Sequence, residues 1–145
     1  EKFIKNNVLN SLEEIHGEDW EYNVGDIKIK KSAEATAAEL TKKETINKRV
    51  KIHWTEMLRI LDYKKMIEKN WSLNEGLLMK IFSINDEDTH NDIFTKGKES
   101  SKVKGLKWMN KFNIHRNDIA HDGTGYGISL EDLEYLKKLK RTLES

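Results

Sequence analysis

Apolar residues recur three and four apart along most of this chain. Phe3, Ile4, Val8, Leu9, Leu12 and Ile15 share one helical face, which predicts a helix over residues 2–15 ending near Gly17. Ile27 and Ile29 then alternate with Asp26, Lys28 and Lys30, the period-two pattern of a short strand or extended connector. "SAEATAAEL" holds good helix formers with little to bury. Thr41 followed by Glu44 has capping-box spacing. After it Ile46, Val50, Trp54, Met57, Leu58 and Leu61 predict a helix of about five or six turns. Tyr63, Met66, Ile67 and Trp71 predict a short helix beyond a bend near Asp62, and Leu77, Leu78, Ile81 and Phe82 another. Residues 85–101 read as a polar loop with some local helix; Val103, Leu106, Met109 and Phe112 mark the next helix. "DGTGYG" is a glycine-rich loop, and it lacks the lysine and preceding strand of a phosphate-binding P-loop. Ser129 and Asp132 repeat the capping-box spacing before a stripe of Leu130, Leu133, Leu136, Leu139 and Leu143. The expected class is all-α, a bundle whose well-patterned part runs over residues 41–145. Residues 1–40 are an N-terminal extension or the tail of a preceding domain.

Composition narrows this picture only a little. A length of 145 residues suits one domain, and 37% hydrophobic residues suffice for one core when they are periodic. Proline is absent, in keeping with helix. The 26 basic and 25 acidic groups nearly cancel, so any attraction for nucleic acid has to be a local patch. Absence of cysteine excludes disulfides and thiolate metal sites and fits a reducing, cytoplasmic setting. No apolar run approaches ~20 residues, so no membrane partner is expected. The chain opens on Glu1 rather than methionine, and we expect it to be a piece of a longer protein with further domains upstream.

The densest chemistry lies in "HRNDIAHDG", residues 115–123. His121 can exchange a proton near neutral pH. Arg116 carries a permanent charge on a planar fork suited to phosphate. Asn117 both donates and accepts hydrogen bonds. Cleaving a phosphodiester beside a 2′-hydroxyl requires one proton removed, one delivered, and charge stabilised on the phosphoryl oxygens. Arginine and histidine are the side chains for that work, and no metal or other cofactor is needed. On a regular helix Asn117 and His121 share a face, whereas Arg116 and His121 diverge by about 140°. A helix starting near Arg116 would leave the arginine free to swing toward a ligand and would offer backbone amides to an anion. Pairing with a second copy of the chain is the other solution, since it brings two arginines and two histidines to one groove.

"RNDIAH" resembles the signature of the HEPN superfamily (higher eukaryotes and prokaryotes nucleotide-binding), an arginine followed after four to six residues by a histidine. Arg116, Asn117 and His121 match it at the minimum spacing. The flanking words "LDYKKMIEKNWSLNEGLLMKIFS" and "KWMNKFNIHRNDIAHDG", with the final amphipathic helix, extend the resemblance over roughly residues 41–145. The prokaryotic members it resembles are appended to larger proteins. The resemblance implies a dimeric, all-α HEPN-like bundle of four to five helices, with the motif on a late helix at the dimer groove. It implies metal-independent endoribonuclease activity on single-stranded RNA or tRNA, of the kind used in phage defence, toxins or RNA processing. Carried over, His121 is the acid–base residue, Arg116 holds the phosphate and Asn117 supports the site. Other members keep the fold without cleaving, so a dimerisation or RNA-binding module is the alternative.

Simpler readings stand beside these. Arg116 and His121 can be surface residues at a helix start with Ile119 and Ala120 packed inward. His115 can contact RNA or be an exposed junction residue. Lys104 and Lys107 in "KVKGLK", like the "KKLKR" run, can bind phosphates or form a solvated face. Asp118 suits the positive end of a helix. Asp118 and Asp122 with the two histidines match no metal-ligand spacing. Trp54, Trp71 and Trp108 can stack bases, but at helical spacing they are expected in the core, and His16, His53 and His90 carry no assigned role.

Overall fold

The computed structural model describes residues 1–23, 27–45, 52–84, 101–120 and 129–144. Among these residues the chain is all-α. Six α-helices occur, α1 (Lys2–His16), α2 (Ile27–Thr45), α3 (Ile60–Lys69), α4 (Leu73–Phe82), α5 (Ser101–Ala120) and α6 (Leu130–Glu144). Two 3₁₀ segments, Gly17–Asn23 and Trp54–Met57, join them, and no strand is present among the described residues. The chain divides into two compact units, Glu1–Asn70 and Trp71–Ser145. That boundary falls inside the stretch covered by the HEPN resemblance.

In the first unit α1 buries Ile4, Val8 and Leu12 along the expected stripe. It stops at Gly17, whose φ of 67° and ψ of −142° suit a residue without a side chain. The His16 ring lies 2.7 Å from Oδ1 of the buried Asn70, whose own amide donates to the Met66 carbonyl at 2.8 Å. A histidine without an assigned role thus ties the end of α1 to the end of α3. The expected strand at Ile27 and Ile29 is instead the start of α2. Two alternating residues are too few to define a period, and Ile29, Ala33 and Ala37 bury a sparse stripe four apart. The small alanines leave room for Trp54, which is 7% exposed and stacks on Trp20 at 6.0 Å.

Two further expectations fail here. Thr41 is not a cap; it lies inside α2, donating to the Ala37 carbonyl at 2.7 Å and accepting from the Ile52 amide at 3.0 Å. No helix runs unbroken from residue 41 to 61, because Leu58 and Arg59 are extended. Local hydrogen bonds outcompete the apolar period. The His53 ring accepts from the Thr55 amide at 3.3 Å to start the 3₁₀ turn, and the Asp62 carboxylate accepts from the Arg59 amide at 2.9 Å to start α3. The break therefore lies just ahead of Asp62. Ile46 and Val50 of that stripe lie outside the described residues.

The second unit is built around α4 and α5. Trp108 is fully buried, and its indole Nε1 donates to the Phe82 carbonyl at 2.8 Å, satisfying an orphan acceptor at the end of α4. The Ile84 amide donates to the Gly105 carbonyl at 3.0 Å. A Cβ at Gly105 would stand 2.5 Å from Ser83 Oγ and 3.3 Å from the Trp71 indole, so glycine permits this approach. Within α4 the backbone turns left-handed at Asn74, Glu75 and Gly76 before the right-handed turns that carry Leu78 and Phe82. Trp54, Trp71 and Trp108 are all core residues. The Ser129 hydroxyl accepts from the Asp132 amide at 3.1 Å, starting α6 as its spacing predicts. Residues 85–100 and the "DGTGYG" segment lie outside the described residues.

Candidate functional site

Five of the six candidate residues sit on α5, and His121 follows it outside the described residues. Arg116 and Asn117 lie near the C-terminal end of that helix, and both are exposed. Of the two arrangements open from sequence, a helix beginning near Arg116 is therefore not the one found. Leu106, Trp108 and Met109 bury the first half of α5, and no glycine follows between Leu106 and Ala120, so the helix continues through the motif. The motif thus lies toward the negative end of the helix dipole rather than at the anion-binding amides of a helix start. Arg116 is well placed against that negative end. Asp118 stands at the wrong end of the dipole for the role its type suggested. Ile119 is 49% exposed, so it does not pack inward as the simplest reading of the motif required.

Helical geometry separates the other candidates. Lys104 precedes Arg116 by twelve residues, an axial distance of ~18 Å and a rotation of ~120°. Lys104 faces solvent, whereas Lys107 is 8% exposed and belongs to the interior of the unit. Arg116 and Asn117 point ~100° apart, so within one chain they cannot converge on one atom without a long reach. Among the described residues no group of three or more histidine, aspartate or glutamate side chains could hold a metal ion.

His115 is not an exposed junction residue. It is 7% exposed, lodged against α6, and neither ring nitrogen makes a hydrogen bond among the described residues. Its Nε2 lies 3.7 Å from Oδ1 of Asp132, beyond hydrogen-bond reach but within ion-pair range. The ring meets Tyr135 edge-on, with centroids 5.7 Å apart and planes at 63°. The Lys111 ammonium sits 3.9 Å from the centre of the Tyr135 ring. A buried polar group without a partner costs about 1–3 kcal/mol, which an apolar ring of the same size would not incur. Sequence reading missed this joint. Its only trace is spacing, since Lys111 and His115 are four apart on one helix and Asp132 and Tyr135 three apart on the next.

Around the joint several apolar side chains remain open to solvent. Ile114 is 58% exposed, Leu130 75% and Leu133 38%. The basic run at 137–141 is a solvated face, with Lys137 3.9 Å from Glu134 and both side chains exposed. No helix among the described residues is long and apolar enough to cross a membrane. Compared with known protein families, characterised proteins and solved structures, the chain matches none.

Proposed function

We propose that the chain is a HEPN-type, metal-independent endoribonuclease domain of a larger cytoplasmic protein, acting as a homodimer on single-stranded RNA or tRNA. The observation that carries this reading is the presentation of Arg116 and Asn117. Both are exposed at the end of a long helix, a few residues ahead of His121, in an all-α chain. In the proposed reaction an RNA 2′-hydroxyl attacks the adjacent phosphorus. His121 of one copy takes the hydroxyl proton, and His121 of the other delivers a proton to the departing 5′-oxygen. Arg116 pairs with the phosphoryl oxygens as charge accumulates on them, and Asn117 supports the motif by hydrogen bonding. The products are a 2′,3′-cyclic phosphate and a 5′-hydroxyl. Lys104 is the solvent-facing lysine of its run and would meet the RNA backbone farther along α5; Lys107 and His115 lie inside. Phage defence, toxin action and RNA processing are the settings such an activity suits.

The test is cleavage of tRNA and single-stranded RNA in EDTA. His121→Ala is expected to abolish turnover, and Arg116→Ala to lower it by about a hundredfold or more. Cleavage that survives His121→Ala, or that requires a divalent ion, ends this reading. The solvent-exposed Ile114, Ile119, Leu130 and Leu133 favour a second one, a dimerisation or RNA-binding module without turnover that arranges upstream domains. A stable dimer by sedimentation with no cleavage of any substrate selects it.

A further inference from the structure

We infer that His115 and Asp132 form a positioning pair that sets the rotation of the end of α5 against the start of α6, and with it the direction in which Arg116 is presented. The functional part of this inference rests on the nuclease reading above; the structural part does not. An imidazole 93% buried, with no hydrogen bond among the described residues and a carboxylate 3.7 Å from Nε2, occupies a joint with two states. The neutral ring only packs on Tyr135. The protonated ring can close on Asp132 as a charge-assisted hydrogen bond, which is shorter and stronger than a neutral one. Among the described residues, the charged and titratable groups near it are Asp132 and Tyr135 on α6 and Lys111 on α5, whose ammonium sits over the Tyr135 ring. Arg116 is the next residue along α5. Its direction follows from that of His115 by a fixed turn of ~100°, so a rotation that closes the pair carries the guanidinium with it.

The absence of cysteine allows a clean measurement. Spin labels on Asp118→Cys and Glu131→Cys, both at exposed positions, report the distance between the two helix ends. The expected result is a distance distribution that narrows as pH falls from 8 to 5.5. His115→Phe keeps the ring and its packing, and it should make the distribution independent of pH. Asp132→Asn should do the same, and Asp132→Glu should restore the response. On RNA in EDTA, His115→Phe should lower kcat about tenfold or more with little change in KM. If the unsubstituted chain cuts nothing, the nuclease reading fails and the distances still decide the pair. A distribution that ignores pH, or that responds equally in His115→Phe, overturns the pair whatever the activity. Wild-type kcat in His115→Phe, in a protein that does cleave RNA, overturns its functional role.

Discussion

Replacing Gly105 by alanine tests whether α5 is seated where the structure puts it. At an open position inside a helix this change stabilises by about 1 kcal/mol, because glycine loses more backbone freedom on folding. Position 105 is not open. The new Cβ would stand 2.5 Å from Ser83 Oγ, 3.2 Å from Ser83 Cβ and 3.3 Å from the Trp71 indole. The serine hydroxyl can rotate away, but its Cβ is held by a backbone that Ile84 pins to the Gly105 carbonyl at 3.0 Å, and the indole is 8% exposed. Overpacking of this kind costs about 1–3 kcal/mol. The balance is a net loss of up to about 2 kcal/mol. Adding Ser83→Gly removes the two shorter contacts and should recover about 1 kcal/mol, a coupling that independent sites would not display. Urea unfolding followed by tryptophan fluorescence, with Trp71 and Trp108 reporting on this unit, measures both changes. A rise in stability for Gly105→Ala alone, or additive effects in the double variant, would refute the placement of α5 and the exposure of Arg116 that follows from it.

Two further outcomes follow from the packing. Trp108→Phe leaves the Phe82 carbonyl without its 2.8 Å donor, and it should cost about 1–3 kcal/mol by urea unfolding beyond the loss of ring volume; a loss below about 0.5 kcal/mol contradicts this. Burial, and then the carboxylates of Glu56, Asp62 and Glu1, push the Tyr63 hydroxyl well above the usual tyrosine range. The unfolded chain therefore loses this proton first, near pH ~10. Stability from Tyr63 is complete below that pH and falls by about 1.4 kcal/mol per unit above it. Subtracting the urea-unfolding profile of Tyr63→Phe from the wild type between pH 8 and 11 isolates this slope, and a difference that stays flat counts against it.

The helices whose apolar stripes are dense and whose ends carry glycine or serine were readable from residue order. These are α1 with its stop at Gly17, and α6 with its start at Ser129. The misses share a cause. The α2 helix buries mostly alanine, so its stripe looked empty, and residues 54–59 carry a helical period that His53 and Asp62 override by bonding backbone amides. No periodicity rule registers a side chain that competes for the main chain. At the candidate site, the residues facing solvent were legible as chemical types but not as directions. The burial of His115 was invisible because it depends on Asp132 and Tyr135, brought in from another helix.

The direction of the helix bears on the proposed chemistry. Had the motif opened a helix, backbone amides could have shared the charge of the phosphate. It closes one instead, so the backbone contributes a partial negative charge, and positive charge at the site must come from side chains. Among the described residues Arg116 is the motif's own cation, while the Lys111 ammonium is engaged over the Tyr135 ring and Lys104 stands ~18 Å away along the axis. A transition state with charge spread over the phosphoryl oxygens is poorly served by one guanidinium at a negative helix end. A second copy would double the guanidinium and imidazole count without asking Arg116 and Asn117, ~100° apart on one helix, to converge. On the proposed reading, dimerisation is thus a requirement of the charge balance. Rates measured across the concentration range in which the dimer dissociates should fall with the dimer fraction, and a fully active monomer would contradict the composite site.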